Sequence, residues 1–244
     1  MKKTFLLLIL LFFFSLKNRA QRLSDHNNII WVTTTLTPKI SDKFSGHIEY
    51  QWRRADRLKN WQQSVLRLGV NYKIHPQVTA QVGYGYIKTY AYGTYTPAAL
   101  PNTFDEHRIY EQLTISAPIG KVNISNRLRL EQRWFGRYLE LNSNTPDSWV
   151  YLNRIRYMPR IDMPVSKKIY AAVYDEIFIG FGGNIGQNVF DQNRVGILAG
   201  YKANNILKLE VGYINQTLQL ARKIEDKNVF QYNNGIVINT FFNF

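Results

Sequence analysis

The chain lacks several features that would point to common protein classes. Its 244 residues include no cysteine, which excludes disulfides, thiolate metal sites and a cysteine nucleophile. After residue 21 no apolar run is long enough for a membrane-spanning helix, and helix signals are scarce. A mature form that lies in a membrane must therefore cross it as a closed β-barrel, because only helices and closed barrels satisfy every backbone group in lipid.

Acidic residues are also few, since 17 Asp and Glu face 31 Lys and Arg and the formal net charge is +14. A soluble protein this basic would suggest a nucleic-acid partner. The first residues argue against that partner, because Lys2 and Lys3 precede an apolar run at 5–16 and Ala20 precedes Gln21. This order is typical of a secretory signal, and the run is too short for a helical anchor, which needs roughly 20 residues. We predict a cleaved signal peptide at 1–20, a mature domain at 21–244 and no nucleic-acid partner.

Alternation of apolar and polar residues is the dominant pattern in the mature chain. In the segment 122–135, Leu128 and Leu130 share one face while Arg129 and Glu131 share the other. A strand separates these two sets completely, whereas a helix would mix them around its cylinder. Similar segments lie at 44–53, 64–73, 78–86 and 206–216, with weaker ones at 30–36, 106–117, 149–158, 169–179 and 190–201 and a last one ending at Phe244.

These eleven segments predict an antiparallel, up-and-down transmembrane β-barrel of about 10 to 12 strands, because each has about the 10 residues that cross a membrane at barrel tilt. Short connections at 73–77, 117–121 and 201–205 alternate with long ones at 90–104, 136–147, 180–188 and 218–228. Bacterial barrels place short turns in the periplasm and long loops outside. Their strand counts are even, so an odd count leaves the path of residues 21–29 open.

The apolar face is rich in tyrosine and tryptophan, which suits an interfacial girdle on the outside of a membrane barrel. A soluble β-sandwich or lipocalin-like barrel is the alternative, with its apolar face inside. The heavily charged opposite face argues against it. Two carboxylates, Glu111 and Asp175, interrupt the apolar face, and we expect either a position near an interface or a local bulge.

The charged face then lines the lumen, and arginine dominates it. One interpretation is structural, since buried arginines must be paired and glutamates are available to fill a narrow barrel. The other is a channel for small anionic solutes, because unpaired arginines focus a positive potential. The predicted lumen-lining residues are Arg67, Arg108, Arg127, Arg129, Glu131, Arg133, Arg154, Arg156, Glu176 and Arg194.

Enzymatic signals are weak, although a lipid-acyl-modifying barrel enzyme remains an alternative. Such an enzyme needs a serine beside a histidine, and none of His26, His47, His75 and His107 has a serine two residues on. No metal-ligand spacing occurs, so we predict neither a metal site nor a cofactor. A third possibility is an accessory barrel that binds a partner complex or lipopolysaccharide through loop residues such as Arg222 and Lys223.

An ordered set of motifs resembles one known family, the Bacteroidetes outer-membrane proteins grouped as domain of unknown function 2490. The matching pieces are Glu106-His-Arg108, Glu111-Gln112, Arg127 to Arg133, Arg154-Ile-Arg156-Tyr157, Asp175-Glu176, Phe190 to Arg194 and Gly212-Tyr213, with Trp31 and Gly83-Tyr84. The resemblance covers nearly the whole mature chain and implies an outer-membrane barrel, but it implies no particular function. The aromatic C-terminal residue, Phe244, likewise resembles the signal that outer-membrane assembly machinery reads.

Overall fold

The structure, a computed structural model, describes residues 22–244, so the predicted signal peptide lies outside the described residues. In this part of the chain no helix is long and apolar enough to cross a membrane. Eleven strands form a closed all-β barrel, which confirms the predicted fold class. The strands are β1 (Leu23–Thr37), β2 (Phe44–Ala55), β3 (Asn60–His75), β4 (Val78–Thr89), β5 (Phe104–Ile119), β6 (Val122–Arg137), β7 (Ser148–Pro164), β8 (Ile169–Phe181), β9 (Phe190–Lys202), β10 (Leu207–Ile224) and β11 (Lys227–Asn243).

The odd strand number is accommodated by a parallel closure. Strands that follow one another in sequence pair antiparallel, but β1 pairs parallel with β11 from Leu23 and Val229 to Thr37 and Asn243. The expectation of a wholly antiparallel barrel is therefore wrong at this one seam. Residues 23–29, whose path the sequence left open, form the first half of β1.

Side chains alternate between the barrel interior and its outer surface. In β6, Leu128 and Leu130 are exposed whereas Arg129 and Glu131 are buried. Most large apolar side chains on the other strands are exposed in the same way. The barrel is thus apolar outside and polar inside, the reverse of a soluble barrel.

Connections differ in length between the two rims. The turns after β1, β3, β5, β7 and β9 are short, and with Phe244 they form one end of the barrel. The opposite end carries longer loops at 90–103, 138–147 and 182–189. The predicted loop at 218–228 is wrong, because β10 continues to Ile224 and meets β11 across a tight turn at Glu225 and Asp226, both with positive φ. Leu218 and Leu220 alternate with polar residues there, so the strand pattern extends further than the loop residues suggested.

The two outward carboxylates remain on the apolar face. Pairing on both sides of Glu111 runs without a register shift, so the bulge considered for this position is absent. Instead, the Gln132 side-chain amide donates to the Glu111 carboxylate at 3.2 Å. Asp175 accepts a similar bond from Asn193 at 2.5 Å. Each carboxylate thus accepts a hydrogen bond from a neighbouring side-chain amide, which lowers the free-energy cost of its outward position.

The interior is apolar on one side and charged on the other. An apolar cluster lies beside the β1·β11 seam and comprises Ile29, Trp31, Tyr170, Ala172, Leu198, Ile214 and Val237. The charged residues come mainly from β2 to β9. This division leaves the charged side as the candidate functional site.

Candidate functional site

All ten predicted lumen residues lie on the inner face of the barrel. Arg127 and Arg194 are half-buried, and the other eight are buried. Four of the ten, on β5, β6 and β7, lie within 4.0 Å of Glu131, which is itself one of the ten. The structure therefore brings together residues that are separated by 20 or more positions in the chain.

Glu131 is the centre of this cluster and is completely buried. One carboxylate oxygen accepts from Arg154 at 2.9 and 2.5 Å, and the other accepts from Arg156 at 2.7 Å. Arg129 lies 3.8 Å away and Arg108 lies 4.0 Å away. One negative charge is therefore shared by four guanidinium groups.

A second ion-pair group lies towards the long-loop end. Glu106 accepts from Arg108 and, at 2.6 Å, from Arg133. Asp191 pairs with Arg154 and lies 3.6 Å from Arg133. Through Arg154 and Arg108 this group joins the Glu131 cluster, so strands β5, β6, β7 and β9 are cross-linked inside the barrel.

A third group lies towards the short-turn end. Glu176 accepts at 2.7 Å from both Arg127 and Arg156. On strands β2 and β3, Glu49 pairs with Arg67. These contacts are charge-assisted and mostly buried, and such bonds are roughly twice as strong as neutral ones.

Sequence reasoning missed several inward charges. Glu49 and Arg53 stand on the polar face of β2 and could have been found from the alternation alone. Asp191 lies next to a register shift between β8 and β9, which hides its direction in the sequence. The other missed members are Glu106 and Arg160.

Of the arginines that line the interior cavities, two have no carboxylate within 4.0 Å among the described residues. Arg53 donates to glutamine side chains only, to Gln51 at 2.9 Å and to Gln63 at 2.6 Å. Arg194 donates to Gln192 at 3.1 Å. Because an unpaired buried charge is costly, these two sites favour a mobile anion or water.

One tryptophan holds both of these arginines. The guanidinium carbon of Arg53 lies 3.9 Å from the Trp31 ring centroid, and that of Arg194 lies 4.8 Å from it. The Trp31 indole N–H donates to Gln62 at 2.6 Å, which fixes the ring. Cation–π contact stabilises the charges without neutralising them.

Two interior cavities flank these arginines. One lies towards the long loops, with a volume of about 150 Å³, and includes Tyr92 and Glu106 in its wall. The other lies towards the short turns, with a volume of about 210 Å³. Both are lined by Arg53, Arg67 and Arg194. An anion between the two cavities would therefore pass these three guanidinium groups.

The loop at 90–103 folds over the mouth at the long-loop end. The Asp25 carboxylate on β1 accepts from the backbone N–H groups of Thr94 at 3.0 Å and Tyr95 at 3.4 Å. Gln231 donates to the Tyr95 carbonyl at 2.7 Å, and Arg222 donates to the Thr96 carbonyl at 3.0 Å. Arg222 is therefore engaged within the barrel and is not the free loop cation expected from the sequence.

Tyr92 inserts from this loop into the barrel. Its side chain is buried, and its hydroxyl donates to Gln231 at 2.8 Å. Burial raises the pKa of Tyr92 above its ordinary value, so the phenol stays a neutral donor. The neutral, hydrogen-bonded phenol of Tyr92 therefore narrows the cavity that lies towards the long loops.

The hydrogen-bond and charge partners of three histidine rings are residues other than serine. The hydrogen-bond partner of the His107 ring is the Tyr84 hydroxyl, at 2.5 Å, and that of the His75 ring is the backbone N–H of Gln77. The His47 ring lies 3.7 Å from Glu49. Within residues 22–244 no serine hydroxyl bonds to a histidine, and no group of three or more potential metal ligands occurs there.

Comparisons with known proteins match the chain to a family and to several individual proteins. A family model described as "Protein of unknown function (DUF2490)" matches residues 28–227. An uncharacterized protein of Methylorubrum extorquens is 26% identical over 216 residues, which are 84% of this chain and 85% of that protein. A NanC porin structure is similar with a TM-score of 0.48 at 12% identity, covering 85% of this chain and 90% of the porin. An anion-selective porin from Comamonas acidovorans gives a TM-score of 0.37 at 13% identity, over 81% of this chain and 54% of the porin.

Proposed function

Since the chain belongs to the DUF2490 family of proteins of unknown function, we propose from its own geometry that it is an outer-membrane barrel with a narrow lumen that favours small anions. The single observation behind the anion preference is the pair of inner arginines without a carboxylate, Arg53 and Arg194. The Bacteroidetes origin implied by the sequence motifs stays a prediction.

The outer surface supports placement in a membrane. On β2 the outward side chains from Phe44 to Trp52 are apolar or aromatic apart from Gly46. This stretch is ~27 Å long at about 3.3 Å per residue, and barrel tilt reduces it to roughly the height of a bilayer's apolar band. Phe244 is exposed at the short-turn end and remains the proposed contact for assembly machinery.

Electrostatics support selection of anions over cations. The carboxylates that line the two cavities already accept from arginines, whereas Arg53 and Arg194 line both cavities and bond to no carboxylate. Low-dielectric walls around a cavity focus such a field. Interlocked side chains keep the lumen narrow, so the solute must be small.

Single-channel current in a planar bilayer tests the proposal. We expect a steady anion-selective current for the mature protein. Replacing both arginines, as in R53Q/R194Q, should lower the anion-to-cation permeability ratio by about fourfold or more, because even one unit charge at ~5 Å in a water-like dielectric changes the energy of a monovalent anion by about 0.8 kcal/mol.

The matched control is R57Q/R137Q, which removes two exposed arginines at the long-loop rim. We expect this variant to change selectivity much less, because solvent and salt screen its sites. Equal loss of selectivity in both variants would contradict a role for the inner pair. A folded barrel that carries no current would contradict the channel and leave the ion pairs as a closed plug.

A further inference from the structure

The exposed charges of the barrel are distributed unequally between its two rims. Among the described residues, the short-turn end exposes seven lysines and a single acidic side chain. That acidic residue, Asp42, pairs with Lys39 at 2.7 Å. We call these seven the lysine collar. Its members are Lys39, Lys43, Lys73, Lys121, Lys167, Lys168 and Lys202.

The opposite rim is balanced in charge. Within residues 22–244 it exposes five basic and five acidic side chains. The basic ones are Arg22, Arg57, Lys59, Arg137 and Lys223, and the acidic ones are Asp56, Glu140, Asp147, Glu225 and Asp226. General solubility would not place the excess at one end only, so the collar has a local cause.

Apolar side chains are exposed beside the collar lysines. Ile74 is 56% exposed next to Lys73, and Ile119 is 59% exposed two residues from Lys121. Val165, at 71%, precedes Lys167 on the next short turn. Turns that lay free in water would gain nothing from these side chains, whereas turns at a lipid interface bury them.

The combination is that of a membrane interface with anionic headgroups. Lysine reaches from an apolar surface to a headgroup while its methylene stem stays in the acyl region. Anionic lipids attract such cations with about 1 kcal/mol per lysine, equivalent to about a fivefold preference. Zwitterionic lipids offer no comparable net charge.

We propose that the lysine collar binds anionic phospholipids of the leaflet that surrounds the short turns. This inference rests on the membrane placement proposed above but not on the conductance. The seven lysines occur at or beside all five short turns, so the contact encircles the barrel. The positive charge of the collar complements anionic headgroups, and the exposed apolar side chains beside it suit the acyl region. Both features favour lipid as the partner of this surface.

Spin-labelled lipids measure this binding directly. The barrel is reconstituted in phosphatidylcholine vesicles with a trace of labelled phosphatidylglycerol or labelled phosphatidylcholine, and the immobilised fraction is compared. We expect the wild type to prefer phosphatidylglycerol by about fivefold at low salt, with the preference falling as salt screens the lysines. The collar variant K73Q/K121Q/K168Q should lose most of it.

The control variant R57Q/K59Q/K223Q removes three charges from the balanced rim and should keep the preference. Folding of both variants is checked by heat-modifiable migration on a gel, and the salt dependence of the wild type needs no variant. Absence of a preference in the wild type, or equal loss in both variants, would overturn the collar. Absence of any immobilised lipid would instead overturn the membrane placement itself.

Discussion

At the scale of single residues, Glu131 has the largest predicted effect on stability. Its carboxylate is the shared acceptor of Arg154 and Arg156 and is completely buried. We expect E131Q to lower the free energy of unfolding by about 3–5 kcal/mol, because removing one partner leaves buried guanidinium charge uncompensated. Urea unfolding of the reconstituted barrel, followed by tryptophan fluorescence, measures this loss.

Glu111 provides the matched control, since E111Q removes a carboxylate from the outer face with only one amide partner. A loss below about 1 kcal/mol is expected there. Similar losses in the two variants would mean that the interior network contributes no more than an exposed hydrogen bond. The same E131Q barrel should also be more anion-selective, because a negative charge has left the lumen.

Residue directions were predictable where the alternation is regular. The ten inner-face residues follow from period two on six strands, β3 and β5 to β9. Ion-pair partners were not predictable, because the contact of Arg154 with Asp191 spans 37 positions and depends on barrel shear. The isolation of Arg53 and Arg194 is likewise a property of three-dimensional distances and has no local signal.

At the scale of elements, the buried carboxylate of Asp25 helps to hold the loop at 90–103. Asp25 accepts from two backbone N–H groups of this loop, and replacement by alanine leaves both donors unsatisfied. We expect D25A to release the loop, which should increase protease cleavage within 90–103 several-fold and raise the single-channel current. Mass spectrometry of limited digests locates the cut.

Asp56 serves as the comparison for this loop, because it is exposed at the same rim and bonds to Asn60 instead. D56A should leave both cleavage and current near the wild-type values. If D25A also left them unchanged, the remaining bonds from Gln231 and Arg222 would be sufficient to hold the loop.

The ends of the strands were predicted less accurately than their middles. The interior of each strand was predicted, but the strands extend beyond the apolar band by several residues at the long-loop end. Polar residues such as Gln219 and Lys223 in β10 look like a loop when only membrane burial is considered. Hairpin pairing with β11 supplies hydrogen bonds there without an apolar environment.

At the scale of the whole molecule, closure depends on the seam between β1 and β11. The Asn27 side chain donates to Asn233 across the seam at 3.0 Å. A Cβ on Gly235 would collide with the backbone carbonyl of Ile29, so only glycine fits at this position. We expect G235A to weaken closure and to lower the free energy of unfolding by about 1–3 kcal/mol. The measurement is the temperature at which heat-modifiable migration is lost on a gel, which should fall.

Gly183 provides a matched glycine, because a Cβ there would meet nothing within 4 Å. G183A should keep the wild-type transition. A G235A barrel with an unchanged transition would mean that the seam shifts at little cost. The existence of a barrel was predictable from the alternation. Its parallel closure was not, because the residue pattern of β1 does not indicate whether its partner strand runs parallel or antiparallel.

The pairing of β1 with β11 at the seam also affects how the barrel folds. Its strands are about 206 residues apart in sequence, so no turn brings them together and the entropy of loop closure is largest there. A slip of two residues would preserve every inward and outward direction, and only position-specific contacts such as those of Gly235 and Asn27 oppose it. Folding is therefore expected to be slow and to end with this pairing, because non-local contacts form last.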